Sequence, residues 1–452
     1  MGNPIKGFPN GPKGAALLFL KEKQAKELQT VRTLAVVCTL AARQRYRCFC
    51  DGYENLSKGG LRGRDRGENM RIIGGEVFDL GAGFVRREVC TKAGKFARTS
   101  GDSTALDATG CYVIPGLVDL HFHGCKGEDF SDGIPEGLQA MADFELSRGV
   151  TGICPAGMTL PEETLRQVCR TAAGHKKSSR SGAELVGVNL EGPFLSAAKK
   201  GAQNGAFLHA PDAEMLVRLQ DAAEGLVKLV TVAPELPGAE DFIRAAAGMG
   251  IRVSVGHTAA GYDTARRAFT AGARQATHLF NAMPPFNHRE PGVVGAAFDN
   301  SEVMVELICD GIHIHESVVR SVFRLFGPER VILVSDSLRP TGMPDGRYPF
   351  GGQEIVLRGR RATMADDPDT LAGSVSTLMD CLRTAVSFGI PLADAVRASS
   401  FNPALALGEQ KRIGALDDGM DAAAVLLDKN DLSVRAVVFH GELISGLQKQ
   451  SE

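Results

Sequence analysis

A chain of 452 residues, 44% hydrophobic and 23% charged, has the composition of a soluble globular protein and the length for one large domain with a lesser one. A formal net charge of -2 excludes any global pull toward nucleic acid or membrane, so the expected partner is a small molecule. The ten cysteines have no repeated spacing, Cys48 and Cys50 being the only tight pair, and no apolar run approaches the roughly 20 residues of a bilayer span; a disulfide framework, a zinc knuckle and a transmembrane helix are excluded, and a reducing cytoplasm fits.

Residues 1–69 are basic, carry few periodic apolar positions and end in the run Lys58 to Gly67. They read as a disordered or extraneous tail, with Met70 as the expected natural start because Met70-Arg-Ile-Ile-Gly-Gly opens abruptly into a strand pattern. A secretory signal does not fit, since the mixed-charge stretch Lys21 to Glu27 comes first. Short strands are expected at Arg71 to Ile73, Glu76 to Asp79, Phe84 to Val89 and Tyr112 to Ile114, separated by Gly-rich turns. Ala422 to Leu427, Val434 to Phe439 and Glu442 to Ser445 follow the same pattern at the other end. Residues 70–116 and 411–452 are therefore expected to build one β-sandwich.

Between them, over 117–410, strands and helical stretches alternate. The strands are Leu117 to His123, Gly152 to Pro155, Glu184 to Leu190, Val227 to Ala233, Arg252 to Gly256, Gln275 to Leu279, Met304 to Cys309 and Arg330 to Ser335. Helical patterns such as Ile134 to Ser147, Pro161 to Gly174, Ala213 to Ala223, Ala239 to Met249 and Tyr262 to Ala271 separate them. Eight such repeats predict an α/β fold, a (β/α)8 TIM-type barrel, with catalytic residues at the carboxyl ends of its strands.

That rule selects particular residues. Of the ten histidines, His121, His123, His257, His278 and His313 fall at or just beyond a strand end, as do Glu191 and Asp336. His121 and His123 stand at i and i+2, which turns both to one face. His278 alone reads more readily as a core histidine before a Pro-rich loop, but with Glu191 and His257 in register the set suits a borderline divalent ion such as zinc. Asn281 and Arg289, following His278, place an amide and a guanidinium where they would suit an anion.

The motifs Val113-Ile-Pro-Gly-Leu-Val-Asp-Leu-His-Phe-His-Gly124, Leu190-Glu-Gly-Pro-Phe194, Val255-Gly-His-Thr258, Thr277-His-Leu-Phe-Asn-Ala-Met-Pro284, Cys309-Asp-Gly-Ile-His313 and Leu371-Ala-Gly-Ser374 resemble those of the N-acetylglucosamine-6-phosphate deacetylase family of amidohydrolases, from about Met70 to Leu447. The resemblance implies hydrolysis of the acetamide of N-acetylglucosamine 6-phosphate to glucosamine 6-phosphate and acetate. It implies a main metal, zinc or else iron, manganese or cobalt, on Glu191, His257 and His278, with Asp336 as general acid/base. Asn281, the Ala282 backbone and Arg289 are implied to hold the phosphate, Arg289 from the neighbouring subunit of a homodimer. His313, Leu371, Ala372, Gly373 and the position of Ala202 are implied to touch the sugar. Two departures stand out: Gln203 occupies a place where many relatives have histidine beside the substrate carbonyl, and the His121/His123 pair, absent from some members, leaves one or two ions open. A cyclic-amidase reading is disfavoured because the fourth strand, Lys228 to Glu235, has no lysine at its carboxyl end to bridge two metals. A barrel that has lost catalysis is disfavoured by the intact Glu191, His257, His278 and Asp336.

Overall fold

The computed structural model describes residues 69–101 and 103–446. The expected tail, with Cys48 and Cys50, lies outside the described residues except for Asn69. No helix among the described residues is long and apolar enough to cross a membrane.

A parallel ladder runs through β1 (Leu117–Asp119), β2 (Val150–Ile153), β3 (Val188–Leu190), β4 (Val227–Val232), β5 (Arg252–Val255), β6 (Gln275–Ala276), β7 (Met304–Ile308) and β8 (Val331–Val334). The β2 position breaks at Cys154-Pro155, where proline has no N–H to give, and resumes as Ala156–Gly157 against β3; Glu184–Leu185 precedes β3 and pairs with β2. Strand β8 returns to the first strand through backbone bonds just beyond both ends: Asp336 N–H donates to the His121 carbonyl at 2.9 Å, and the N–H groups of His123 and Gly124 donate to the Ser337 carbonyl at 2.8 and 3.0 Å. The ladder thereby closes.

The strands are buried on both faces, as parallel strands covered by helices must be. In β8, Val331 and Leu333 pack outward with the helices, while Ile332 and Val334 join an inner cluster with Val118, Leu229 and Ile308, closed off by Ala404, Leu407 and Ile413. The helix Glu316–Phe326 shows why the outer layer holds: Val319, Val322, Phe323 and Phe326 recur at helical spacing and are buried as one stripe.

Both ends of the described residues share a six-stranded sheet, ordered Glu442–Gly446, Val434–Phe439, Ala423–Asp428, Cys111–Pro115, Glu76–Asp79 and Gly83–Arg86. Register sets Val425 opposite Ile114 and Leu426 opposite Val113. Alternation then divides the work. Leu426, Val113, Val77 and Val438 meet Met70, Ile72 and Leu106 of a four-stranded sheet, whereas Val425, Ile114, Leu427 and Val437 belong to the barrel's core. The strand expected over Phe84 to Val89 is in fact two, Gly83–Arg86 and Val89–Lys92, in different sheets, because the exposed charges Arg87 and Glu88 sit at the crossing.

One element was not anticipated. After β8 the chain forms a three-stranded antiparallel sheet, Gly346–Phe350, Gln353–Arg358 and Arg361–Met364, before the next helix, Leu378–Ser387. Its turns, Gly351-Gly352 and Gly359-Arg360, carry glycines at positive φ, and Ile355 and Leu357 alternate inward on its central strand.

Candidate active site

The site forms where the strands end. His257, His278 and Asp336 are each the second residue beyond the last of β5, β6 and β8, and each has a left-handed backbone, with φ of 45°, 27° and 47°. Such conformations cost of order 1–3 kcal/mol each for a residue with a side chain, and they fold the chain off the ladder so that the side chain lies across the barrel mouth. Strand β6 accordingly stops at Ala276 rather than reaching Leu279 as expected. Beneath the histidines lies a buried layer of hydroxyls, in which Thr277 Oγ1 is 3.0 Å from Thr231 Oγ1 and 2.6 Å from Ser254 Oγ. Gly256 is required above it: a Cβ there would stand 2.5 Å from the Thr277 Cβ.

Glu191, at the end of β3, is the hub. Its Oε1 lies 3.2 Å from His257 Nε2, 3.0 Å from His278 Nε2 and 3.2 Å from His121 Nε2; its Oε2 lies 3.2 Å from His123 Nε2. Asp336 Oδ1 is 3.3 Å from His123 Nε2 and 3.8 Å from His121 Nε2. Two triads emerge, Glu191 with His257 and His278, and His121 with His123 and Asp336, and within each the candidate ligand atoms all lie within 4.8 Å of one another. All six residues are buried. The outer nitrogens of three imidazoles are engaged, His123 Nδ1 at 3.1 Å from the Ala156 carbonyl, His257 Nδ1 at 3.0 Å from the Lys199 carbonyl and His121 Nδ1 at 2.7 Å from Glu306 Oε2, which leaves Nε2 facing inward. His278 Nδ1 is buried without a hydrogen-bond partner, and so is the inward His121 Nε2, whose approach to Glu191 lacks hydrogen-bond alignment. Buried nitrogen and carboxylate donors converging on one point, one of them otherwise unused, fit a divalent ion.

A cavity of about 290 Å³ opens over these residues, at the small end of ligand sites. Ala202, Gln203, Asn281, Ala282, His313, Leu371 and Ala372 line it together with His123, Glu191, His257, His278 and Asp336, and Phe350 of the inserted sheet adds an apolar wall. Gly373, expected at the sugar, and Arg289, expected to serve a neighbouring subunit's site, are not among the lining residues. Gly373 lies behind Asp336, where a Cβ would approach the Asp336 carbonyl to 2.9 Å, and the Ser374 N–H donates to that same carbonyl at 2.7 Å. Arg289 is exposed on the loop over 284–291 and takes no part in lining the cavity.

Residues 112–444 match the model of the amidohydrolase family. The chain belongs to that family. Among the proteins similar to this amidohydrolase, N-acetylglucosamine-6-phosphate deacetylase of Bos taurus is 38% identical, over 75% of this chain and 84% of its own. That of Bacillus subtilis (strain 168) is 37% identical, over 73% and 84%. A mutant N-acetyl-D-glucosamine-6-phosphate deacetylase from Mycobacterium smegmatis, solved in complex with N-acetyl-D-glucosamine-6-phosphate, superposes with a TM-score of 0.78 at 34% identity, covering 83% of this chain and 99% of that one.

The electrostatics of this amidohydrolase's site favour positive charge. Burial alone would raise the Glu191 carboxyl pKa, but the neighbouring imidazoles of His121, His257 and His123 hold it well below the usual range. Burial likewise opposes charging His123, yet Asp336 and Glu191 outweigh it and raise its pKa to about 10. For His121 the carboxylates of Glu191 and Glu306 overcome the same burial cost. The cluster is built to hold cationic charge, as protons or as a metal. Sequence reasoning missed Glu306, which projects inward from β7, accepts from the Gln275 side chain and from the His278 N–H at 3.2 Å, and orients His121. Its signal was a lone acid in the apolar run Met304–Ile308. It missed Asp310 as well, whose Oδ2 lies 2.8 Å from His313 Nδ1 while its Oδ1 accepts from the N–H groups of Ile312 and His313.

Proposed function

We propose that this amidohydrolase hydrolyses the acetamide of N-acetyl-D-glucosamine 6-phosphate, releasing acetate and D-glucosamine 6-phosphate. The observation that carries the reading is the convergence of Glu191, His257, His278 and Asp336 under one cavity in a chain whose relatives bear that enzyme's name. Glu191, His257 and His278 hold the principal divalent ion, zinc by the borderline character of the donors, and His121 and His123 are placed to hold a second beside Asp336. A bound ion supplies Lewis acidity toward water and the amide carbonyl. Asp336 takes the proton of the attacking water and returns it to the leaving nitrogen, which converts a poor leaving group into an amine. His313, held by Asp310, presents its free ring nitrogen to the sugar, and the Leu371–Gly373 segment and the Ala202 loop bound the sugar's other side. Asn281 and the Ala282 backbone take the phosphate. Arg289, exposed and away from its own cavity, reaches the phosphate bound by a second copy, in a homodimer of the cytoplasm. Residues 70–116 and 411–452 form the sandwich that carries the barrel of 117–410.

Acetate release by metal-loaded protein tests the reading. Phosphorylated N-acetylglucosamine should be cleaved far faster than the unphosphorylated sugar, and cleavage should vanish in Glu191→Ala. Equal rates on the two sugars would remove the phosphate assignment, and no acetate from either would remove the reaction.

A further inference from the structure

Gln203 is buried in the wall of the cavity, and its amide is oriented by what surrounds it. The Thr159 N–H donates to Gln203 Oε1 at 2.8 Å. Because a backbone N–H must meet an acceptor, the amide nitrogen is turned the other way, and it donates to Glu191 Oε2 at 2.7 Å. The opposite oxygen, Oε1, is the one facing His257 and His278. Gln203 thereby decides which oxygen of Glu191 is free for an ion. The loop carrying it is pinned on both sides by the inserted sheet: Gln353 Nε2 donates to the Ala202 carbonyl at 2.7 Å, and Asn204 Nδ2 donates to the Gly351 carbonyl at 3.3 Å.

We infer that Gln203 is a positioning residue for the metal, acting through Glu191, and that Gln353 latches it from the inserted sheet. The inference rests on Glu191 being an ion ligand, as proposed above. A carboxylate whose outer oxygen is already bound presents its inner oxygen in one orientation, so the ion does not have to order it. Imidazole at the same place offers the same pair of functions, one ring nitrogen accepting from Thr159 and the other donating to Glu191. Leucine offers neither.

Zinc affinity of the full chain, measured by competition with a chromophoric chelator, tests this without reference to turnover. Glu191→Ala should abolish tight binding; if it does not, the ligand assignment itself fails. With that control met, Gln203→Leu should weaken zinc by roughly 10- to 100-fold, the usual consequence of removing a partner that orients a ligand. Gln203→His should stay near wild type. Gln353→Leu should weaken zinc by up to roughly tenfold, the worth of one net hydrogen bond, and add nothing in the Gln203→Leu background, since both act along one path. Should Gln203→Leu fail to fold by circular dichroism, Gln203→Asn, too short to span both partners, replaces it with the same expected loss. Wild-type zinc affinity in folded Gln203→Leu, or in Gln203→Asn where that replaces it, overturns the positioning role, and additive losses in the double variant overturn the latch.

Discussion

The barrel mouth and the terminal sandwich are both buried, and burial selects opposite things in them. Between the sheets of the sandwich, Ile72, Val77, Leu106, Val113 and Leu426 fill space on regular backbone. At the mouth, Glu191, Asp336 and four histidines are withdrawn from water, and three of the six stand on left-handed backbone. Burying such groups and holding such turns costs stability unless something charged completes them. The contrast teaches that location separates the two roles: the sandwich residues are chosen for volume, the mouth residues for donor chemistry at the expense of stability.

The largest effect expected is at the mouth. Asp336→Asn keeps the shape but removes the carboxylate proposed to carry the proton, and turnover should fall by about 10² to 10⁴-fold while zinc content and melting temperature hold. A folded, metal-loaded variant keeping more than about a tenth of wild-type turnover would show that the Asp336 carboxylate does not carry the proton.

Leu426→Ala is the mirror experiment. Truncating a fully buried leucine between the sheets should cost about 2–5 kcal/mol in urea unfolding, with turnover per folded molecule unchanged. A specific loss of turnover would mean that the sandwich tunes the mouth rather than merely supporting it.

Arg289→Ala sharpens the edge of the site. Loss of a charge-assisted contact should raise KM for the phosphorylated sugar by an amount equivalent to roughly 1.5–3 kcal/mol and leave the unphosphorylated sugar nearly unaffected. Equal effects on both sugars would assign Arg289 to the fold.

Glu145 offers the smallest effect on turnover and a direct challenge, being a buried carboxyl outside the mouth. Burial foremost, with the charge of Asp119, raises its pKa from 4.5 to about 8. Across that window the unfolded chain is ionised and the folded chain is not, so its contribution makes stability fall as pH rises. Glu145→Gln should therefore raise the melting temperature above the window and have little effect below it, with turnover unaltered throughout. A loss of turnover would show that chemistry is not confined to the mouth.

Much of this was legible because the barrel strands are short apolar runs that end abruptly in a histidine or an acid, so that the ends of β3, β5, β6 and β8 announced themselves without any pairing information. Residues whose meaning depends on a distant partner were not. Glu306 gains its role from His121, 185 positions away in the chain, and within β7 it reads only as an isolated charge. The inserted sheet escaped notice although its Gly-Gly turn was visible, since the regular alternation of strand and helix invited a helix after β8.

The seam that closes the barrel has a consequence for how the molecule comes into being. Ser337 Oγ donates to the Gly124 carbonyl at 2.9 Å across 213 positions of chain, beside the bond from the Asp336 N–H to the His121 carbonyl. Contacts of such separation are slow to form, because the chain must surrender loop entropy before they reward it. Asp336, proposed above as the general acid/base, is thus a clasp on this seam, and the proposed active centre is incomplete until the barrel shuts. In refolding from denaturant, helical signal should return first and catalytic competence only with the slowest phase. Competence that rises in step with the helical signal would show that the seam closes early.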